Sequence, residues 1–292
     1  MSPALRHLGK DLIVTTLFVT GLASYALADE TTLKPDQFAN ASALYATHCT
    51  ACHNGDRLGG MGPALLPESL ERLRGNSIAD VIAHGRPATQ MPAFDQTLNT
   101  ADIAVLADWL RQPLAEMPGW SMADIQQSHE VFVEPATLPD KPQFDGDPLN
   151  LFTVVEAGDH HVTILNGDTF EPLDRFPTRF ALHGGAKYSP DGRFVYLASR
   201  DGWVQMYDLY SLQTVAEIRV GLNTRNVAVS DDGRYVMAGN MLPHNLVLLD
   251  ARDLTPIRNI PVISKDGKSS RVSAVYTAPP RHSFIIALKD LP

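Results

Sequence analysis

The chain contains 292 residues, of which 44% are hydrophobic and 20% are charged, so it is neither disordered nor fibrous and is long enough for two domains. Its formal net charge is −9, which argues against a nucleic-acid partner because phosphate binding requires clustered lysines and arginines. These values favour an acidic globular protein whose partner is a small molecule or a basic protein.

The N-terminal residues have the pattern of a secretory signal peptide. A basic opening with Arg6 and Lys10 precedes an apolar run over residues 12–27, and small residues provide a cleavage site at Ala28. We therefore predict a Sec-type signal peptide over residues 1–28, a periplasmic location and no stable membrane span after cleavage. An uncleaved membrane anchor is the alternative, because the apolar run approaches the length of the shortest spanning helix.

The two cysteines of the chain, Cys49 and Cys52, lie three residues apart and are followed directly by His53. Export would normally favour a disulfide between them, but C-x-x-C-H is the attachment signature of a c-type heme. A zinc site would need further ligands, and a thioredoxin-like site would need a surrounding βαβ pattern. The spacing therefore predicts covalent heme c on both cysteines, with His53 as an iron ligand.

The sixth ligand of the iron is expected further along the chain. Met91, followed by Pro92 in the stretch QMPAF, supplies a thioether, which favours Fe(II) and raises the reduction potential. His84 competes for this role, and Met91 could instead fill core space, as most methionines do. We expect Met91 to be the ligand.

Two stretches flanking these motifs have helical apolar spacing. The first carries Phe38, Ala41, Leu44, Tyr45 and His48. The second carries Ile103, Leu106, Ala107 and Leu110, with Trp109 beside them. We expect Thr100 to cap the second helix and Pro113 to end it.

Residues 30–115 resemble a class I cytochrome c domain in CTACH, in GMGPAL, in QMPAF and in the closing helix. The resemblance implies an all-α fold in which the carbonyl of Pro63 fixes the ring of His53. It also implies an electron relay, because both axial positions of the iron are filled. A connector rich in proline and acidic residues follows over residues 116–149, and we interpret it as a short helix and an extended arm.

From residue 150 to 292 the sequence changes to short β-branched runs separated by turns. Stretches beginning at His160, Trp203 and Asn245 align with a repeat of about 41 or 42 residues. That length, with Asp-Gly turns, is typical of four-stranded β-propeller blades. A closed propeller needs four to eight blades, whereas this segment has room for about three. We therefore expect an incomplete all-β propeller with further blades beyond residue 292.

The whole chain resembles the cytochrome cd1 family, which includes nitrite reductases and relatives in heme d1 biosynthesis. The resemblance rests on LFTVVEAGDHHVTILNGDT, FALHGGAKYSPDGRFVYLASRDGWVQMYDL, VAEIRVGLNTRNVAVS and RHSFIIALKDLP. It implies that a propeller of this type binds heme d1 or dihydro-heme d1 without a covalent bond, and that His183 ligates its iron. It also places Arg200, Arg225 and Arg271 where arginines contact this group, whose carboxylates favour guanidinium partners.

Each of these assignments has a plainer alternative. His183 could be a hydrogen-bonded turn residue, and each arginine could be an ordinary surface residue. The forms ALHGGAKYSPDGRF and FIIALKDLP resemble the dihydro-heme d1 dehydrogenase branch, which implies an oxidoreductase of heme d1 biosynthesis in denitrification. That branch oxidises a propionate to an acrylate and passes the electrons through heme c. The resemblance implies a periplasmic electron acceptor or donor as the partner, with other heme d1 biosynthesis proteins or nitrite reductase as further candidate partners.

A cytochrome cd1 nitrite reductase is the alternative within the family, and its distal histidines would lie beyond residue 292. An electron-transfer cytochrome c with a remnant propeller is the alternative from another class. The sequence identifies no catalytic base.

Overall fold

The structure is a computed structural model that describes residues 33–71, 73, 77–116, 118–180 and 182–291. The predicted signal peptide, residues 1–28, lies outside the described residues. Within those ranges, every helix falls short of the length and apolar character that a membrane-spanning segment requires.

The helices of the described chain lie in its first half. They are α1 (Pro35–His48), α2 (Thr50–His53), α3 (Pro67–Leu70), α4 (Ser77–His84), α5 (Thr100–Arg111) and α6 (Met122–Gln127).

Helices α1 and α5 form the centre of the helical part. Tyr45 and Trp109 face each other with ring centroids 5.0 Å apart, and Ala41 and Leu106 are almost fully buried between the helices. This confirms the predicted face of α5 and, on α1, Ala41 and Tyr45. Phe38 was expected on the same face but is 49% exposed, because its ring lies edge-on against Trp109 at the rim of the packed helices. The predicted cap is wrong by one residue, because Asn99 caps α5 by accepting a hydrogen bond from the Asp102 amide at 2.9 Å.

The rest of the described chain is rich in strands. They are β1 (Glu130–Val131), β2 (Leu151–Glu156), β3 (His161–Asn166), β4 (Pro172–Pro177), β5 (Lys187–Tyr188), β6 (Phe194–Ala198), β7 (Trp203–Asp208), β8 (Gln213–Arg219), β9 (Asn223–Val229), β10 (Tyr235–Leu242), β11 (Asn245–Asp250), β12 (Pro256–Pro261), β13 (Val272–Ala278) and β14 (Ser283–Leu288). Two 3-10 helices, Pro135–Thr137 and Pro279–Arg281, complete the regular structure of the described ranges.

The strands form antiparallel sheets in the orders β2-β3-β4, β1-β8-β7-β6-β5, β12-β11-β10-β9 and β13-β14. The equivalent strands β3, β7 and β11 begin at residues 161, 203 and 245, which confirms the repeat expected from the sequence. Each of these sheets is a meander of sequence neighbours, apart from β1, which the connector adds to the edge strand β8.

Neighbouring sheets pack through the strand at one edge of each sheet, which we call its inner edge. Strands β9 and β13 are two of these edge strands. Asn226 on β9 and Val275 on β13 exchange two hydrogen bonds, since the amide side chain of Asn226 donates to the Val275 carbonyl at 3.0 Å and accepts from its N–H at 2.9 Å. A buried apolar cluster joins the two larger sheets and includes Tyr196, Met206, Val227 and Val247. This packing holds the inner edges of successive sheets side by side.

Arg219 connects the helical part to the β-rich part. Its guanidinium donates to the Leu58 carbonyl at 2.8 Å and to the Asp201 carbonyl at 3.0 Å, and it lies 4.8 Å from the Trp120 ring centroid. An apolar cluster next to it includes residues of both parts, among them Leu66 and Leu222. The chain from Leu33 to Pro292 accordingly forms one compact unit.

Candidate functional site

The predicted heme-attachment motif lies at the junction of α1 and α2. Cys49 lies between the end of α1 and the start of α2, and Cys52 lies within α2. Both side chains are half-buried free thiols, so the alternative of a disulfide between them is not formed. Burial, together with the neighbouring Cys52, raises the pKa of Cys49 to about 11. The two thiols are therefore present and unblocked for thioether formation.

His53 ends α2 with its imidazole buried and oriented. Its Nδ1 donates to the Pro63 carbonyl at 2.8 Å, which is the contact that the resemblance to cytochrome c implies. Because a carbonyl only accepts, the proton is on Nδ1 and the lone pair is on Nε2. Burial lowers the pKa of His53, although its hydrogen bond to Pro63 acts in the opposite direction. The neutral imidazole that an iron ligand requires is thereby favoured.

Gly62 provides the surface on which the His53 ring rests. A Cβ atom added at Gly62 would lie 2.6 Å from His53 Cε1 and 2.9 Å from its Nδ1. The Gly62 amide donates to the Cys52 carbonyl at 2.7 Å, which ties the loop back to the helix. A covalently attached heme c fits this site, which provides two thiols and an oriented imidazole packed against Gly62.

A buried arginine that the sequence did not single out stabilises the loop after the motif. Arg57 is 3% exposed and donates to the carbonyls of Leu65 at 2.7 Å and of Leu110 at 2.6 Å. Its guanidinium also lies 4.8 Å from the Trp109 ring centroid. Arg57 thus fastens the loop to the end of α5, and only its position close behind C-x-x-C-H could have drawn attention to it.

His84 and Met91, the two candidates for the sixth ligand, differ in exposure and in hydrogen bonding. His84 is exposed, and its Nδ1 donates to the Asp80 carbonyl one turn earlier at 3.1 Å. Met91 is half-buried, and its backbone carbonyl accepts from the Arg86 amide at 3.1 Å, so that the loop is closed on itself. Met91 as the sixth ligand stays a prediction.

In the β-rich part, the structure brings His183 and Arg225 together at the inner sheet edges. His183 Nδ1 donates to the Arg225 carbonyl at 2.8 Å, and Arg225 Nη1 donates to His183 Nε2 at 2.8 Å. The imidazole is therefore oriented by one strand, β9, through both of its nitrogens. These hydrogen bonds agree with the alternative in which His183 is a hydrogen-bonded turn residue. They also leave the proton on Nδ1, which is the tautomer that iron ligation through Nε2 would need.

The three predicted arginines line two adjoining clefts. Arg200 and Arg225 line one cleft together with Lys289. Arg271 lines the neighbouring cleft of about 580 Å³, where its guanidinium is paired with Asp290 at 2.6 Å and Glu71 at 2.7 Å. Arg271 is thus already held by protein carboxylates. The first cleft combines its three basic side chains with the carboxylates of Glu68 and Glu71.

Comparison with known proteins finds a family match in each of the two parts of the chain. The family model for the Cytochrome D1 heme domain matches residues 146–292. The family model for Cytochrome C oxidase, cbb3-type, subunit III matches residues 36–110.

Dihydro-heme d1 dehydrogenase from Pseudomonas aeruginosa is 62% identical over 253 residues, which cover 87% of this chain and 51% of that protein. Nitrite reductase from Stutzerimonas stutzeri is 25% identical over 304 residues, which cover 96% of this chain and 53% of that protein. The solved structure of dihydro-heme d1 dehydrogenase NirN in complex with DHE matches with a TM-score of 0.82 and 62% identity, over 86% of this chain and 54% of that one. The chain therefore spans about half the length of the curated relatives it matches.

Proposed function

Because this chain belongs to the Cytochrome D1 heme domain family and carries a cytochrome c domain ahead of that match, we propose that it oxidises dihydro-heme d1 to heme d1. The observation that carries this proposal is the 62% identity to a dihydro-heme d1 dehydrogenase, against 25% to a nitrite reductase. The reaction converts a propionate side chain of the substrate to an acrylate and releases two electrons and two protons.

In this proposal Cys49 and Cys52 would hold heme c covalently, while His53 and Met91 would ligate its iron. When bound, the heme would supply a one-electron acceptor. Pro63 and Gly62 keep the His53 ring in place, through the 2.8 Å hydrogen bond and the close packing described above. Arg57 holds the loop that carries these residues against α5.

The substrate is proposed to bind at the inner edges of the sheets. His183 would ligate its iron through Nε2, which requires Arg225 to give up the 2.8 Å hydrogen bond to that nitrogen. The released guanidinium, together with Arg200 in the same cleft, can then pair with substrate carboxylates. Arg271 would contribute only where a substrate carboxylate competes with Asp290 and Glu71 for its guanidinium.

We further propose a periplasmic location and a periplasmic electron acceptor that reoxidises heme c. The predicted signal peptide over residues 1–28 supports the location. Covalent attachment of heme c by the predicted motif fits an exported protein. The acceptor itself is characterised by its chemistry alone, as a one-electron redox protein.

The test is anaerobic mixing of the heme-loaded full chain with dihydro-heme d1, followed by absorption spectroscopy. We expect heme c to become reduced and the substrate spectrum to change to that of heme d1. Reduction of nitrite without oxidation of dihydro-heme d1 would establish the nitrite reductase instead. A spectrum that keeps only c-type bands after heme d1 is offered would indicate an electron carrier.

A further inference from the structure

One carboxylate oxygen of Glu68 on α3 is buried without a hydrogen bond to any described residue. Its Oε2 is inaccessible to solvent and has no hydrogen-bond partner among the described residues. Buried carboxylate oxygens are normally hydrogen-bonded, because losing water without a replacement partner is costly. An unpartnered oxygen of this kind is a candidate for a chemical role.

Glu68 lies at the boundary between the two clefts that hold the predicted arginines. It lines the cleft of Arg200 and Arg225, and it also lines the cleft of Arg271. The groups that would bind the carboxylates of the substrate therefore come from the β-rich part, and Glu68 faces them from the cytochrome part. A substrate side chain held by these arginines would lie beside a carboxylate.

Glu71, one turn along, shows how Glu68 differs from an ordinary charged partner. Glu71 pairs with Arg271 at 2.7 Å and with Lys289 at 3.4 Å. Although burial acts to raise the pKa of Glu71, its hydrogen bond with Arg271 and the nearby positive charges outweigh it and lower that pKa. Within the described ranges Glu68 has no such ion pair. Glu71 is thus ion-paired with Arg271, and Glu68 is not.

We propose that Glu68 is the residue that accepts a proton from the propionate side chain of the substrate. The proposal rests on the proposed function. The Glu68 carboxylate, which lines both clefts, takes the proton of one C–H bond, and the electron pair of that bond becomes the new C=C bond. The neighbouring C–H bond gives its proton to water and its two electrons, one at a time, to the c-type heme. Glu68 later returns its proton to water in the cleft.

The position of Glu68 in the chain agrees with this role. Helix α3 follows within a few residues of Pro63, which orients His53. The proton acceptor and the residues that hold the electron acceptor therefore belong to one continuous segment. Movement of that segment would affect both together.

Charged groups from several elements lie near Glu68. Arg57 of the heme loop interacts with it electrostatically, and Glu71 lies on its own segment. The residues that face it across the clefts are Arg200, Arg225, Arg271, Lys289, His244 and Asp290.

The experiment compares Glu68→Gln with wild type in the oxidation of dihydro-heme d1 as a function of pH, with a one-electron acceptor present to reoxidise heme c, because each heme c takes only one of the two electrons. Glutamine keeps the shape but cannot accept the proton. We expect a rate at least about 100-fold lower at saturating substrate, loss of the rise in rate from acid to neutral pH, and a substrate affinity, measured by absorption titration, close to wild type. Glu68→Asp should restore part of the rate and the rise with pH.

Glu71→Gln is the matched control, because it removes a carboxylate from the same clefts. We expect it to alter substrate affinity through Arg271 while the saturated rate keeps its rise with pH. A Glu68→Gln protein that reaches the wild-type rate with the same pH profile would overturn the inference and leave the proposed function intact. A wild-type protein that binds dihydro-heme d1 without oxidising it would instead overturn the proposed function.

Discussion

His53 is held by neighbours that act on different sides of its imidazole ring. Pro63 fixes the rotation of the ring by accepting from Nδ1 at 2.8 Å, while Gly62 leaves the space that the ring fills. Such supporting contacts set the orientation and basicity of a ligating histidine. Changes to these neighbours should therefore alter the heme site without removing a ligand.

Gly62→Ala should disturb the heme site, because the new Cβ would lie 2.6 Å from His53 Cε1. We expect the unfolding free energy to fall by about 1–3 kcal/mol and the ratio of covalent heme to protein to decrease. Urea denaturation and absorption spectroscopy measure the two effects. Gly55→Ala in the same loop is the control, since its Cβ would meet no atom within 4 Å. Equal effects of both variants would contradict the packing argument.

Met91→Leu should remove the thioether while keeping the size of the side chain. We expect the reduction potential of heme c to fall, because a thioether stabilises Fe(II), and the absorption spectrum to show loss of the sixth ligand. The matched control is Met61→Leu, whose side chain is 57% exposed in the preceding loop. An unchanged potential and spectrum in Met91→Leu would show that another residue ligates the iron.

At the scale of elements, the interior of α5 was predictable and its first residue was not. The apolar spacing of Ile103, Leu106 and Leu110 identifies the buried face, which the structure confirms. Both Asn99 and Thr100 are residue types that cap helices, so composition alone does not distinguish them. The choice depends on which side chain reaches the Asp102 amide, and that is decided by the path of the preceding loop.

Asn99→Ala should lower the unfolding free energy by about 1 kcal/mol, because the Asp102 amide loses its acceptor at 2.9 Å. Thr100→Ala should have little effect, since Thr100 is the first helical residue and alanine has the higher helix propensity. Urea denaturation of the heme-loaded proteins measures both changes. The reverse order of effects would restore Thr100 as the cap.

At the scale of the whole molecule, the sequence repeat and the C-x-x-C-H motif predicted where the strands and the heme-attachment site lie. Neither predicted the long-range contacts between side chains. The repeat located the strands that begin at residues 161, 203 and 245, and C-x-x-C-H located the heme motif. Arg57, Arg219 and Glu68 were missed, because their roles depend on carbonyls and clefts that come together only in the folded chain. An arginine or glutamate in the sequence carries no sign of such partners.

Arg219→Ala should weaken the connection between the heme loop and the β-rich part. The carbonyls of Leu58 and Asp201 would lose their donor in a partly buried place, so we expect the unfolding free energy to fall by about 1–2 kcal/mol. Chemical denaturation of the heme-loaded protein measures this change. Arg252→Ala is the control, because its side chain is 80% exposed, and it should change stability by less than about 0.5 kcal/mol.

The hydrogen bond from Arg219 to Leu58 joins residues that lie 161 positions apart. During synthesis, the segment after C-x-x-C-H is therefore made long before strand β8, which supplies Arg219. Until that strand has folded, the thiols of Cys49 and Cys52 are flanked by a loop that lacks this hydrogen bond at Leu58. The order of synthesis thus leaves an interval in which both thiols lie beside a loop that is not yet closed.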